Sequence, residues 1–328
     1  MTVSTEQPSS RPRPEPSHVY VVVDLGGTQT RTAIFDPIGQ MLTRRAAATP
    51  RTGGPDQVIA AVLDQIREAT AQHWATVVAV GVSALGPVDP HTGIIHSAPT
   101  LPGFDNVPLR PRLHDALQLP VHVHNDANAA TIAEWQLGAG RGTRNFCYVT
   151  VSTGMGCGII SNGQLVTGRA YAGELGRTRI PSTDGSTAQL EQISSGTAIA
   201  ARARALIAAG TPTSLATIDP TNITAGTVAA AAAAGDHVAR SIFTTAATTL
   251  GIQLANLTRL IDPETIALGG DVTLAGDIFW DPLRATIEES LAQDSIPLPR
   301  LVEAELHSDA GLHGAAIALL NHYERAPA

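Results

Sequence analysis

The stretch that decides the fold is Asp24-Leu25-Gly26-Gly27-Thr28, set between HVYVVV (18–23) and TAIF (32–35). The first flank is a short β-branched run and the second resumes an apolar one, so they read as two strands joined by a glycine turn. Two adjacent glycines let the backbone bend tightly and aim its N–H groups at an anion. Thr28 adds a hydroxyl donor, and Asp24 at the strand end can hold a magnesium ion or its water. The same five residues also serve as a plain hairpin turn, and in isolation the two readings stand level.

Working outward, the unit recurs. FCYVTVS (146–152) precedes TGMGCG (153–158), and an apolar run resumes through GIISNGQLVTG, with Asn162-Gly163 as a hairpin turn signal. A third pair, Gly269-Gly270, ends the run TIALGG (265–270). Any one of these glycine turns can be there for shape alone. All three in this order favour a phosphate-handling cleft, built from Asp24, Gly26, Gly27, Thr28, Thr153, Gly154, Gly156, Gly269 and Gly270. Neither main loop matches G-x-x-x-x-G-K-[ST] or G-x-G-x-x-G, which removes the Walker and dinucleotide-binding readings.

Between the two main loops lies Asn125-Asp126, after the short strand 121–124 and before the helical pattern DANAATIAEWQLGA. Phosphoryl transfer to an alcohol needs a carboxylate within reach of the attacking hydroxyl, and polar groups to orient the acceptor. Asp126 can be that carboxylate, and Asn125 offers both a donor and an acceptor. Asp126 as a simple helix cap explains these two residues equally well. Elsewhere, apolar spacing predicts a helix over 56–70 and a strand over 76–82, the region from 190 to about 259 is Ala-rich and helical, and 310–323 reads as a last helix. Strands and helices alternate, so the fold class is α/β.

Composition narrows the function. The chain has 328 residues, 43% of them hydrophobic, and a formal net charge of −8 with no dense basic run, which argues against a nucleic-acid footprint. No apolar run reaches membrane-spanning length, and residues 1–17 lack a secretory h-region and read as a disordered tail. Cys147 and Cys157 are the only cysteines and read as reduced and buried, making the cytoplasm the expected compartment. His122 and His124 share a strand face without a further ligand beside them, so they read as core or edge-strand residues.

DLGGTQTR, SALGPVDPHTGIIHSAPTLPGF, LPVHVHNDANAATIAE, VTVSTGMGCGII, GELG and IALGGDV occur in the order seen in the ROK family, and the chain resembles that family from about residue 18 to its C-terminus. The resemblance implies the actin-like ATPase fold of hexokinases. That means two α/β domains and an interdomain cleft, here 18–125 joined by a C-terminal helix (312–325), and 126–311. It implies ATP with Mg²⁺ as phosphoryl donor and a hexose or amino or N-acetyl hexose as acceptor, at the 6-hydroxyl, with Asp126 as general base. It further implies that Asn125, Asp126, Glu174 and Glu191 contact the sugar, that Gly86 lines its pocket, and that the protein is a homodimer. Sugar-sensing repressors belong to the same family, and so the resemblance leaves open a non-catalytic sensor. Only about 17 residues precede the first strand, too few for a DNA-binding domain. A polyphosphate-dependent glucokinase is a further alternative.

The chain departs from the family in one region. Many relatives follow the GE-x-G stretch with a His that joins three Cys on a structural zinc. Here the equivalents are Gly176-Arg177 and the cysteine-free segment from Ser182 to Glu191, so no zinc is expected. In zinc-bearing relatives that His also touches the sugar. Arg177 is longer, always charged and donor-only, so it is expected either to contact the sugar or to turn toward solvent or a carboxylate. Thr100 stands where relatives have Asn, and Leu85 where they have Pro, which leaves the sugar open.

Overall fold

A computed structural model describes residues 17–181 and 186–324. The expected tail, apart from Ser17, and residues 182–185 of the cysteine-free segment lie outside the described residues. The chain forms two compact units: residues up to Ile132 together with those from Gly311 onward, and Ala133–Ala310.

The first unit begins with strands β1 (Val19–Leu25), β2 (Gln29–Phe35) and β3 (Met41–Ala48), then α1 (Gly54–Thr70) and β4 (Val77–Ala84). A small ribbon of β5 (Ile94–Ser97) and β6 (Asp105–Pro108) follows, with α2 (Leu109–Leu117), β7 (Val121–Asn125) and α3 (Asp126–Leu137). The main sheet has the order β3-β2-β1-β4-β7. The first three strands pair antiparallel, while β1, β4 and β7 run parallel. β1 is buried along its whole length because both of its faces are covered. Its period of two sends Val19, Val21 and Val23 into one apolar cluster with α1 and α2 residues such as Val62, Ile66 and Leu113. Tyr20 and Val22 go into another, with Leu312, Ala315 and Leu319. β3 is an exposed edge carrying Arg44 and Arg45, charges that discourage a stray strand from adding there.

The second unit repeats this plan. It contains β8 (Phe146–Val151), β9 (Met155–Ser161), β10 (Gln164–Leu165), the ribbon β11 (Arg179–Pro181) and β12 (Thr187–Gln189), then α4 (Glu191–Ser194), α5 (Gly196–Ala208), α6 (Ala225–Ala233) and α7 (His237–Ile261). β13 (Thr265–Gly269), α8 (Asp277–Ala292) and β14 (Arg300–Glu303) complete it. Its sheet order is β10-β9-β8-β13-β14, again an antiparallel meander with two parallel strands on the far side of the first. The recurrence of strand–glycine–strand in the sequence thus has a counterpart in sheet topology. The Asn162-Gly163 turn has φ of 51° and 74°, the doubly positive geometry of a tight hairpin joining β9 to β10. The last helix, α9 (Ala310–Glu324), contributes its apolar side to the first unit.

The expected domain boundary was 125–126; the two compact units divide a few residues further along. β7 runs directly into α3, and the break falls within α3, at Ile132/Ala133. The physical reason lies in what each half of α3 touches. Ala129 lies so close to α9 that a side chain at Gly314 would strike its carbonyl, whereas Glu134 is fully buried and bonded to backbone that follows β14. Among the described residues, no helix is long and apolar enough to cross a membrane.

Candidate functional site

In the first unit the register sets the site. Asp24 of β1 lies opposite Ser83 of β4, and Ala84 lies opposite Asn125 of β7. Three chemistry-bearing residues therefore meet at the carboxyl ends of parallel strands, where open α/β sheets bind ligands. Asp24 is buried, with Oδ1 accepting from the Ser83 hydroxyl at 2.8 Å and Oδ2 from Arg31 Nη1 at 2.9 Å. A side chain at Gly311, in the first turn of α9, would crowd the same carboxylate. The Asp24 side chain is thus held from two sides. The loop it leads into is closed by Gly26 N–H donating to Gln29 O (3.1 Å) and by Thr49 Oγ1 donating to Gly26 O (2.7 Å). Thr28 is exposed at its tip, and Gly27 lies against Thr100 and Leu85.

Asn125 and Asp126 divide their work in a way the sequence did not reveal. The helix N-cap bond is made by Asn125, whose Oδ1 accepts from Asn128 N–H at 3.1 Å. Its Nδ2 donates to Gly86 O (2.9 Å) and to Asp126 Oδ1 (3.1 Å). Asp126 Oδ1 also accepts from Ala127 N–H at 2.8 Å, at the positive end of α3. Capping therefore belongs to Asn125, which also orients the Asp126 carboxylate. Gly86 has φ +83°, and a Cβ there would run into the Ser97 carbonyl, so only glycine keeps this loop and the oxygen it offers to Asn125. Gly86→Ala is expected to cost about 2–3 kcal/mol of stability. A lowered thermal midpoint together with lost turnover checks this.

The second unit gathers the remaining candidates around the β8–β9 turn. That turn is confined to 152–154, with Ser152 N–H donating to Gly154 O at 2.9 Å. Gly156 was expected in this loop; it instead lies within β9 opposite Thr150, because the hairpin closes after three residues. Gly196, at the head of α5, donates to Ser152 O (2.7 Å), and Ser152 Oγ donates to Asp271 Oδ2 (3.3 Å). Gly269 pairs with Thr150 of β8. Gly270 has φ +96°, and a Cβ there would collide with the Val151 carbonyl. The second and third glycine turns therefore touch, and the N-terminus of a 13-residue helix faces the same loop.

The segment of Glu174 and Arg177, together with Glu191, lies beside this turn and the start of β9. A Cβ on Gly154 would stand 3.6 Å from Glu191 Oε2, and one on Gly176 would stand 2.9 Å from Met155 O and 3.4 Å from Glu191 Cβ. Arg177 Nε donates to Glu174 Oε2 at 2.8 Å, so of its expected orientations it takes the one toward a carboxylate. Burial pushes the Glu174 carboxyl above its ordinary range; Arg177 opposes this and Glu191 adds to it. Both cysteines are free and buried, and burial pushes Cys147 up to about 12. The rings of His122 and His322 lie against each other, tilted, with centres 4.3 Å apart. Among the described residues no group of three or more His, Cys, Asp or Glu is placed to hold a metal ion.

Comparison with known proteins agrees with this architecture. The model of the ROK family matches residues 20–322. A glucokinase of Halalkalibacterium halodurans is 32% identical over 313 residues, covering 90% of this chain and 93% of that protein. Among solved structures, a ROK family glucokinase from Streptomyces griseus in complex with glucose and AMPPNP has a TM-score of 0.77 at 32% identity, covering 92% of this chain and 98% of that one. A ROK family transcriptional regulator, a homolog of the E. coli MLC protein, has a TM-score of 0.80 at 28% identity, covering 94% and 78%. The fold is accordingly the two-domain α/β fold of actin-like ATPases. With the family model spanning nearly all the described residues, the chain belongs to the ROK family.

Proposed function

We propose that this sugar kinase transfers the terminal phosphoryl group of ATP to the 6-hydroxyl of a hexose or of an amino or N-acetyl hexose, with Asp126 as general base. The observation that carries the reading is the division of labour at the head of α3. Asn125 caps the helix and donates to Asp126, so the carboxylate is aimed without being needed as a cap. Asp126 accepts the proton of the attacking hydroxyl, and Glu174 and Glu191 accept hydrogen bonds from other sugar hydroxyls. The turns at 26–28 and 152–154, with Gly269-Gly270, receive phosphate oxygens. The backbone around Gly270 leaves no room for a side chain, the close packing such a cradle needs.

The carboxylate chemistry also fits magnesium. Asp24, held by Ser83 and Arg31 at the end of β1, is the carboxylate that would hold a magnesium ion or its water. Magnesium bound with the nucleotide neutralises charge on the phosphates. A second reading, sugar sensing without turnover, is favoured by the likeness to a transcriptional regulator.

An ATP-consumption screen over glucose, fructose, N-acetylmannosamine, glucosamine and kanosamine tests the proposal. Turnover with at least one of them, and its absence with polyphosphate as donor, is the expected result. Sugar binding without ATP consumption across the panel would replace it with the sensor reading.

A further inference from the structure

Glu174 is placed in a setting that disfavours a carboxylate. It is half-buried, with its side chain 24% exposed, and burial raises its proton affinity. The groups facing it from the surrounding elements are few. Glu191 at the head of α4 is a second anion, and Cys157 on β9 is a thiol that burial holds neutral. Among the described residues the cation paired with it is Arg177, one 3₁₀ turn along the chain, whose Nε–H donates to Glu174 Oε2 at 2.8 Å. The turn itself is closed by backbone hydrogen bonds. Glu174, Leu175 and Gly176 are followed by backbone bonds Arg177 N to Glu174 O (3.0 Å) and Thr178 N to Leu175 O (3.1 Å). Gly176 packs against Met155 O with no space for a side chain.

We infer that Arg177 is a positioning residue for sugar binding: its guanidinium holds Glu174 ionised and oriented, so that this carboxylate presents an acceptor to a sugar hydroxyl. The inference rests on the proposal that Glu174 binds the sugar. Arg177 itself need not touch the ligand. Its five N–H donors and permanent charge supply one bond to Glu174 and an electrostatic counterweight to Glu191, a task a neutral side chain cannot perform. An ionised Glu174 accepts from a hydroxyl through either oxygen. A protonated one loses an acceptor and gains a competing donor.

The sign follows. Removing the guanidinium takes away a lowering influence on a carboxyl already raised, so Glu174 holds its proton to higher pH. Sugar affinity is then lost from the acid side at a higher pH than in the unaltered protein.

The test is sugar binding by calorimetry between pH 5 and 9, using the best acceptor of the sugar panel, for the unaltered protein and for Arg177→Gln, Arg177→Lys and Glu174→Gln. Arg177→Gln is expected to move the acid limb of binding up by about one pH unit. Near pH 6 affinity falls by about tenfold, and kcat at saturating sugar stays within about twofold. Arg177→Lys restores most of the pH profile, because charge rather than shape is what Glu174 requires. Thermal midpoints and circular dichroism identify any variant that fails to fold; should Arg177→Gln be one, Arg177→Met, which is neutral and of similar length, carries the comparison through its pH profile. An acid limb unchanged in the neutral Arg177 variant, with Glu174→Gln still weakening binding, overturns the inference alone. Unchanged affinity in Glu174→Gln, or no binding by any sugar of the panel, overturns the underlying site assignment and the inference with it.

Discussion

Replacing Asp126 by Asn lowers kcat by about 10³-fold, within the range general-base removal produces, while sugar and nucleotide binding change by no more than a few-fold. The substitution is close to a pure test of charge and basicity. An amide oxygen still accepts from Ala127 N–H and from Asn125 Nδ2, as Asp126 Oδ1 does. The helix keeps its cap, because that bond belongs to Asn125 and Asn128. What disappears is the carboxylate able to take the proton of the attacking hydroxyl. Phosphoryl transfer depends heavily on positioning and charge, so a residual rate is expected from the phosphate loops alone. Single-turnover kinetics and sugar calorimetry on the same variant separate the two effects. A kcat reduced by less than tenfold would remove Asp126 from the role of base. Asn125→Ala provides the contrast: it removes a cap and lets Asp126 swing, so it loses both stability, by about 1 kcal/mol, and turnover.

That contrast also shows what the sequence could carry. The pair Asn125-Asp126 stands out at a strand-to-helix junction, yet which of the two caps the helix depends on a one-residue difference in where the helix begins. No local pattern resolves that. The glycine turns were legible because each lies between two apolar runs, but their mutual contact was not. Gly270 meeting the Val151 carbonyl is a pairing across 119 residues. Gly156 was misplaced for a related reason. A string of alternating glycines reads as one loop, and only ladder pairing with Thr150 draws the second of them into β9.

Elements were missed where burial was partial. β3 has the sequence MLTRRAAA, almost wholly exposed, with no alternation and with three alanines that are weak strand formers. α2 contains Pro111 early in its first turn, and β14 follows prolines at 297 and 299, so both were hidden behind residues that usually mark loops. Arg177 was recognised as a departure. Its partner was within reach of reasoning, because Glu174 lies three residues earlier and the intervening Leu175-Gly176 suits a tight turn.

Glu134 is the residue that sequence reading passed over altogether, and its loss is expected to be the most costly to stability. It lies in the second half of α3 with no exposed surface. A buried carboxylate is unfavourable unless its oxygens are satisfied, and here they are. Oε2 accepts from Ala139 N–H (3.0 Å) and Glu305 N–H (3.1 Å), and Oε1 from Leu306 N–H (2.7 Å). One side chain therefore ties the end of α3 to the segment that leaves β14 and leads into α9. Glu134→Ala strands several donors and empties the space of a whole CH₂–carboxylate group, which is expected to cost about 3 kcal/mol. For a unit of this size that is a drop of roughly 6–12 °C in thermal midpoint. Glu134→Gln keeps the volume but offers one acceptor in place of two and turns an N–H₂ group toward a donor, so it should recover only about half of that loss. Arg141 supplies the control. It pairs with Glu305 at 3.1 Å in the same region, but both side chains are about half exposed. Water and salt screen such a pair, so Arg141→Ala is expected to shift stability by under about 0.5 kcal/mol. Calorimetric melts of the three variants decide the point. If Glu134→Ala melts with Arg141→Ala, the buried carboxylate is not what anchors the entry to α9.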